Sequence, residues 1–409
     1  MREWARSVFL LCLVSALGIV LVAGRPLEKR WYRGNTHTHT LWSDGDGPPE
    51  WVTDLYKTRG YHFLVLSDHD ILSEGEKWVA VGTERRQFPP ERLKKLTAQF
   101  GEKQVELRER NGRVEMRLKT LSELRRTFEE KGRFLFIQGE EITDNWKKVP
   151  IHHNSVNQVN VIRPPGGNTV REVMQNALTL VKAEAARTGK PVLAHLNHPN
   201  WKWAVTGDDI AYVLDEKYFE LYTGAEECFN DGDAQHPGNE ATWDYVLALR
   251  LGRLKGEPLY GLATDDAHEY YKDKAPSSPG RGWVMVRSEE LSGDAITRAL
   301  LAGDFYASTG VTLDDVTAER DGVGVKVAAQ PGVAYTLRFI GTRVTDKGFG
   351  KVGEVLQETK GPAGQYRFRG DELYVRCTVL SDRKHPSPVE KDEHERAWTQ
   401  PVVVRGRNR

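Results

Sequence analysis

Three features of the 409-residue sequence predict an α/β fold followed by a small all-β domain. Short apolar, strand-like runs alternate with amphipathic helical stretches over most of the chain, which implies βα units with parallel pairing, as a barrel or an open sheet. From about residue 310 the helices stop, and short strands separated by Gly, Pro and Asp take over, as in a small sandwich. Histidine and carboxylate runs follow the strands, on the face where βα folds build their sites.

The length has room for about two domains of 100–250 residues and for a core that needs no disulfide or metal to stay folded. Lys plus Arg and Asp plus Glu both number 58, and the zero formal charge counts against a dedicated nucleic-acid protein. Cys12, Cys228 and Cys377 form no C-x-x-C pair, which excludes a zinc ribbon and a redox dithiol.

The chain begins with Arg2 and Arg6, followed by an almost unbroken apolar run over residues 7–23 (SVFLLCLVSALGIVLVA). A basic start, an apolar middle and a small-residue end are the parts of a signal peptide over residues 1–24. The run, about 17 residues long, is also at the lower limit for a spanning helix, so an uncleaved N-terminal anchor is the alternative. Either way the body is expected to be exported, periplasmic or secreted, with membrane contact only through this segment.

Residues 49–58 place Trp51, Leu55 and Tyr56 on one helical face, with Gly60 placed to end the helix. Residues 62–67 (HFLVLS) read as a buried strand. Further strands are expected at 134–138, 156–162, 191–196, 218–222 and 259–263, with helices at 170–187 and 241–251. Residues 74–131 break the rhythm, being dense in both charge signs with Lys and Arg in excess. Inside them, 104–110 and 113–119 alternate around Asn111-Gly112, a hairpin signal with a type I′ turn. Residues 120–131 read as a helix with Thr120 or Ser122 as N-cap and Glu123 nearby. This insertion is either a solvated excursion or a lid or partner-binding arm. Beyond it, strands are expected at 325–333, 335–341, 365–369, 373–380 and 400–404, and a polar loop at 384–396 carries His385 and His394 at the surface.

Eight of the twelve histidines fall in five short runs. These are residues 36–40 (THTHT) followed by Ser43-Asp44-Gly45, then 67–70 (SDHD), 152–154 (HHN), 195–200 (HLNHPN) and 264–268 (TDDAH). Glu140-Glu141 follows the strand at 134–138. An isolated histidine is most often a capping or packing residue, but a whole set at strand ends with carboxylates beside it points to a metal site. Imidazole with carboxylate and no thiolate suits Zn, Mn or Fe. In an extended H-x-H, both rings point to one side and can reach one ion.

The ordered set H-T-H, S-D-G, S-D-H-D, G-E-E-I-T, H-x-N, N-H-P and D-x-H resembles the PHP superfamily, named for bacterial DNA polymerase and histidinol phosphatase, over residues 34–268. Residues 303–310 (GDFYASTG) are similar to the stretch after the barrel in exported PHP hydrolases with a β-rich tail. The resemblance implies a distorted (β/α)7 barrel over residues 31–310, interrupted by the 74–131 insertion, with a β-sandwich-like domain over 311–409. It implies two or three divalent ions, Zn, Mn or Fe. His37 and His39 would bind one ion with Glu141 and Asp266. Glu141 would bridge to a second, held by His153 and by His195 or His198. Asp44, His69 and His268 would hold the third. Glu141 is preferred to Glu140 because it precedes Ile-Thr, and His153 to His152 because of the x-N pattern after it.

The function so implied is a metal-dependent phosphoesterase, acting on a small anionic ester through a metal-activated hydroxide held by Glu141. The alternatives are a carboxyl or carbamate ester or amide hydrolase with the same ligands, or a non-catalytic envelope-binding module. Arg281 in Pro279-Gly280-Arg281-Gly282 is a candidate anion clamp, and Lys202 a weaker one. Asp68, Asp70 and Asp265 would orient imidazoles or shape turns. Trp42, Trp201, Trp203, Tyr270 and Tyr271 flank the ligand runs and would wall a pocket or pack at its rim. A nucleic-acid substrate has no support from a neutral chain.

Overall fold

The computed structural model describes residues 28–404 except 86 and 273, so the expected signal peptide or anchor lies outside the described residues. Among the described residues no helix is long and apolar enough to cross a membrane.

The α/β part opens with β1 (Arg30–Asn35), α1 (Pro49–Thr58) and β2 (Phe63–Leu66). Helix α1 starts on Pro49, which lacks only an N–H the first turn would leave unpaired, and Gly60 comes after it at φ 79°. Strand β2 is buried at all four positions, as its unbroken apolar run requires.

The insertion then supplies β3 (Trp78–Ala80), α2 (Pro90–Phe100), β4 (Leu107–Arg110), β5 (Arg113–Arg117) and α3 (Leu121–Phe128). Strands β4 and β5 turn through Asn111 and Gly112, both at positive φ, as a type I′ turn demands. Thr120 and Glu123 close a reciprocal capping box on α3. Buried Trp42, Phe88, Leu96, Met116 and Leu118 tie the insertion to the loop after β1.

Next come β6 (Leu135–Trp146), β7 (Val149–Val156), α4 (Val170–Thr188), β8 (Leu193–Leu196), α5 (Gly207–Tyr212), β9 (Tyr218–Thr223), α6 (Asn239–Leu249) and β10 (Tyr260–Thr264). Strands β1, β2 and β6 run parallel, as do β8, β9 and β10, while β7 is antiparallel to both neighbours. The ends of this run meet. A parallel bridge joins Thr38 to Ala267, and the His39 N–H donates to the Ala267 carbonyl at 3.0 Å.

The strand expected at 156–162 is displaced. The ladder occupies Val149–Val156, and Asn157 leaves it at φ 73°. Pro150 and the polar run His152–Ser155 conceal a strand whose second-side pairing, to β8, supplies what propensity does not.

Strand β11 (Trp283–Ser288), α7 (Gly293–Leu301) and β12 (Phe305–Ser308) lead to β13 (Leu313–Glu319), β14 (Gly322–Val327), β15 (Tyr335–Arg343), β16 (Glu354–Lys360), β17 (Ala363–Arg367), β18 (Glu372–Lys384), β19 (His394–Thr399) and β20 (Val402–Val403). Strands β13, β14 and β17 form a small sheet facing β15 and β18 across Val323, Val325, Leu337, Phe339 and Cys377. The change of composition near residue 310 is not a break in the sheet. Strand β12 pairs with β19, and β11 pairs with β1, so one mixed sheet runs from β10 to β16. His385 is buried rather than at the surface, with Nε2 3.1 Å from the Arg281 carbonyl, because β19 folds its loop back onto the α/β part.

Candidate metal centre

The centre lies on the face that the strand ends share. After β1, His37 and His39 project to one side of an extended segment, held by Asn35 Oδ1 accepting the His37 N–H (3.0 Å) and Asp68 Oδ1 accepting the Thr40 N–H (2.8 Å). Their Nε2 atoms stand 3.0 Å apart. Glu141 Oε2 lies 3.4 Å from His37 Nε2 and 3.2 Å from His39 Nε2, and Asp266 Oδ1 lies 3.1 and 3.3 Å from the same atoms. A tetrahedron with Zn–N and Zn–O bonds near 2.0–2.1 Å has edges of about 3.3 Å. These five distances are near that edge, so His37 and His39 are spaced with Glu141, and likewise with Asp266, as ligands to one ion.

Glu141 is shared. Its other oxygen, Oε1, lies 3.0 Å from His152 Nδ1 and 3.2 Å from His198 Nε2, and accepts the Asn197 amide at 2.8 Å. His69 Nδ1 approaches Oε2 at 2.9 Å, while its Nε2 lies 3.4 Å from Asp44 Oδ2. His268 Nε2 lies 3.3 Å from Asp44 Oδ1, and its ring stacks on His39 at 4.1 Å. Four groups could each hold an ion: His39, Asp44, His69 and His268; His37, His198 and Asp266; His37, His39 and Glu141; and His69, Glu141 and His152. They open onto a cavity of about 290 Å³ with Trp201 on one wall.

Adjacent strand residues have opposite fates. Glu141 and Asn154 pair across β6 and β7, and His152 pairs with Thr143, so these four side chains share the inward face. His153 pairs with Ile142 on the other face and ends 2.8 Å from Glu216 Oε2. The donor set therefore contains His152, not the expected His153. Glu140 likewise faces outward, accepts the Ile162 N–H, and is pushed up to about 7 by burial.

At the two candidates after β8, His198 faces the cluster and His195 stands beneath His37, ring centres 6.5 Å apart. His195 is in none of the four groups, and burial drives its pKa down to about 4. His198 and Asp266 take left-handed backbone, φ 25° and 47°, which costs non-glycine residues and is found where function over-determines a conformation.

Arg281 is not an anion clamp. Its guanidinium is buried and donates to the carbonyls of Gly224, Pro276 and Ala275 at 2.6–2.9 Å, stapling loops together. Asp265 accepts the N–H groups of Gly280, Arg281 and Gly282, and Asp68 braces Thr40 and Ser43, so both hold loops rather than imidazoles. Asp70 accepts the Thr143 N–H. Lys202 lies over the Trp201 ring, Trp203 stacks on His236, and Trp42 is buried under the insertion. The Tyr270 hydroxyl donates to the His39 and Ala267 carbonyls, and Tyr271 stacks on Trp51.

The carboxylate that does orient an imidazole is Glu220 on β9, which the strand-end pattern misses. Its Oε1 lies 2.7 Å from His37 Nδ1, so Nδ1 carries the proton and Nε2 is free for a cation. Glu220 also accepts from the His198 N–H, Thr223 and Thr264 at 2.8–2.9 Å. The available signal was its place in an otherwise apolar strand (YFELYT), where a lone charge must be paired.

Burial would raise the Glu141 carboxyl and lower the imidazoles; attraction wins at Glu141, His37, His69 and His268, while desolvation wins at His152, whose pKa is lowered. His69, His37 and His152 hold Glu141 well below the usual carboxylate range. Against the desolvation cost, Glu141 and Asp44 push His69 up to about 11, and Asp44 and Asp266 push His268 up to about 9. These protons are the ones a divalent ion would displace, so metal uptake strengthens as pH rises.

No family model and no curated protein matches the chain. Among solved structures it is similar to a two-domain protein from Bacteroides vulgatus containing a predicted PHP-like metal-dependent phosphoesterase, with 13% identity and TM-score 0.39 over 91% of this chain and 95% of that one. It is also similar to a chain from Bifidobacterium adolescentis provisionally assigned as a metal-dependent phosphoesterase, with 12% identity and TM-score 0.31 over 67% and 97%. An amidohydrolase from Chromobacterium violaceum with bound sulfate and no metal gives 13% identity and TM-score 0.28 over 58% and 88%. All three scores fall below 0.5, so the site's own geometry must carry the chemistry.

Proposed function

We propose that this chain is a metal-dependent hydrolase of PHP type, a phosphoesterase acting on a small anionic ester. Glu141 carries the reading. One buried carboxylate presents Oε2 to His37, His39 and His69 and Oε1 to His152 and His198, the placement suited to joining two cations. His37, His39, Glu141 and Asp266 would hold one ion, Glu141, His152 and His198 a second, and Asp44, His69 and His268 a third, with Zn, Mn or Fe suited to these donors. The strand run tied at Thr38 and Ala267 supports a distorted (β/α)7 barrel beneath them. The basic, apolar start of the sequence supports export.

Bound divalent ions supply an activated water near neutral pH and positive charge opposite an anionic transition state. The chain's own residues do the positioning. Glu220 fixes the tautomer and aim of His37, and Trp201, edge-on to His198 and His152, closes one wall against bulk water. The described lining of the cavity contains Asp44, Glu141, Glu227 and Asp266 but no Lys or Arg. Bound divalent ions would supply an anion with the positive charge that this lining lacks in Lys and Arg.

The test is a panel of phosphate and carboxyl esters with the protein reconstituted with Zn or Mn. We expect phosphate-ester turnover that chelation abolishes. Turnover of carboxyl or carbamate esters alone would replace the reaction class, and turnover of neither by metal-bound protein would remove the enzyme reading.

A further inference from the structure

A second, larger cavity of about 790 Å³ lies between the insertion and the loop after β1. Asp44 lines both this groove and the 290 Å³ cavity of the metal centre, so the two are contiguous at the residue that His69 and His268 face. The volume is that of a site for a ligand of moderate size. One side is apolar, from Leu41, Val79 and Phe88.

The charges of the groove are unevenly spent. Arg92 is committed to Asp46, with Nη1 2.9 Å from Oδ2, and lies over the Tyr271 ring at 4.3 Å. Asp44 is committed to the imidazoles. Lys77 is half-buried, donates to the Trp42 carbonyl and has no ion-pair partner among the described residues. Arg85 is exposed and likewise makes no ion pair among the described residues. Two cations therefore remain beside an apolar wall, a short step from a centre whose own lining contains no Lys or Arg. Their source is the insertion, which carries 15 Lys and Arg against 11 Glu and no Asp over residues 74–131.

We propose that this groove is the distal subsite of the enzyme: it receives the part of the substrate beyond the scissile bond, an apolar or flat linker ending in a second anionic group held by Arg85 and Lys77. The proposal rests on the hydrolase reading of the metal centre and names the substrate class as esters with two anionic ends. A guanidinium suits a terminal phosphate or carboxylate, which it can meet with two parallel hydrogen bonds.

The test uses a matched pair of ligands, hexyl phosphate and hexane-1,6-diol bisphosphate, which differ only in the distal phosphate. Affinities are measured by calorimetry on the full chain, with and without bound Mn. The wild type is expected to prefer the bisphosphate by about tenfold or more, the worth of one or two charge-assisted hydrogen bonds. Arg85→Ala, at an exposed position that does not threaten folding, should bring the preference toward one, and Arg85→Glu should reverse it. Lys94→Ala, on the exposed side of α2 away from the groove, should keep the preference. Equal affinity for the two ligands, or a preference untouched by Arg85→Glu, overturns the subsite. Should hexyl phosphate still bind in a Mn-dependent way, that result leaves the metal-centre reading standing. Absence of Mn-dependent binding by either ligand overturns both.

Discussion

His152 and His153 differ in position by one residue and in role completely. The pleat of β7 sends the first to Glu141 and the second to Glu216, and both contacts are buried. His152→Ala is therefore expected to lower metal content by elemental analysis. His153→Ala should leave metal content unchanged and lower stability by about 1–3 kcal/mol in urea unfolding, because it leaves the Glu216 carboxylate buried without its partner. The opposite pattern would restore His153 as the ligand. At this scale the sequence was legible wherever strand direction could be read from it. The i, i+2 spacing put the His37 and His39 rings on one side, and the structure draws Asp44, His69, Asp266 and His268, which the PHP resemblance grouped with them, to the same cluster. Between adjacent histidines the choice depends on the register of β7 against β6, which no local pattern encodes. Arg281 was misread for a related reason: its Gly-rich surroundings look like a site loop, but nearby carbonyls consume its donors.

Among the elements, α1 shows how burial reverses an ordinary helix rule. Glu50 sits in the first turn, where a carboxylate normally gains from the helix dipole. Here desolvation dominates and pushes its pKa up to about 7. Its charged form is thus disfavoured in the fold: the cost is absent below the unfolded value near 4.5, grows as pH rises to about 7, and is constant above. Glu50→Gln is expected to stabilise the protein by about 2–3 kcal/mol at pH 8 and by nothing measurable at pH 4.5, both read from urea unfolding. A gain that is equal at the two pH values would show that the carboxylate is not the cause. Elements whose local chemistry is strong were read closely from sequence, among them α1 and the Asn111-Gly112 hairpin, while of the two cap candidates for α3 the structure selects Thr120 over Ser122. Strand β7 was not read this way, because its inward face is polar, with His152 in the donor cluster and Asn154 paired across from Glu141, and its pairing on both sides overrides propensity. Strand β19 was hidden by the charged residues around His394 and Glu395, and its pairing with β12 and β18 supplies what local pattern does not.

For the whole molecule, one sheet crosses the change of composition near residue 310, where the small all-β domain was expected to begin, and one buried ion pair pins it. Arg376 on β18 meets Asp244 on α6 with two hydrogen bonds, 2.8 and 2.6 Å, and its guanidinium lies over Trp243 at 4.7 Å. Both partners are buried. Arg376→Met should destabilise the chain by about 3–5 kcal/mol through the charge it strands on Asp244, and adding Asp244→Leu should recover much of that loss. A double variant no better than the single would mean that the pair acts through packing alone. The zero net charge read from the sequence conceals the division that matters here, a basic insertion beside a carboxylate-rich cavity. In the proposed reaction Glu141 would join the ions that hydrolysis needs. The most direct measurement is metal content and phosphate-ester turnover of the wild type and Glu141→Gln, prepared side by side. Two or three divalent ions are expected per wild-type chain, and in the variant at least one ion fewer, with turnover lost by at least 100-fold, about the loss expected when a group that joins the ions is removed. Full metal content in Glu141→Gln, or turnover that survives in metal-stripped wild type, would contradict it.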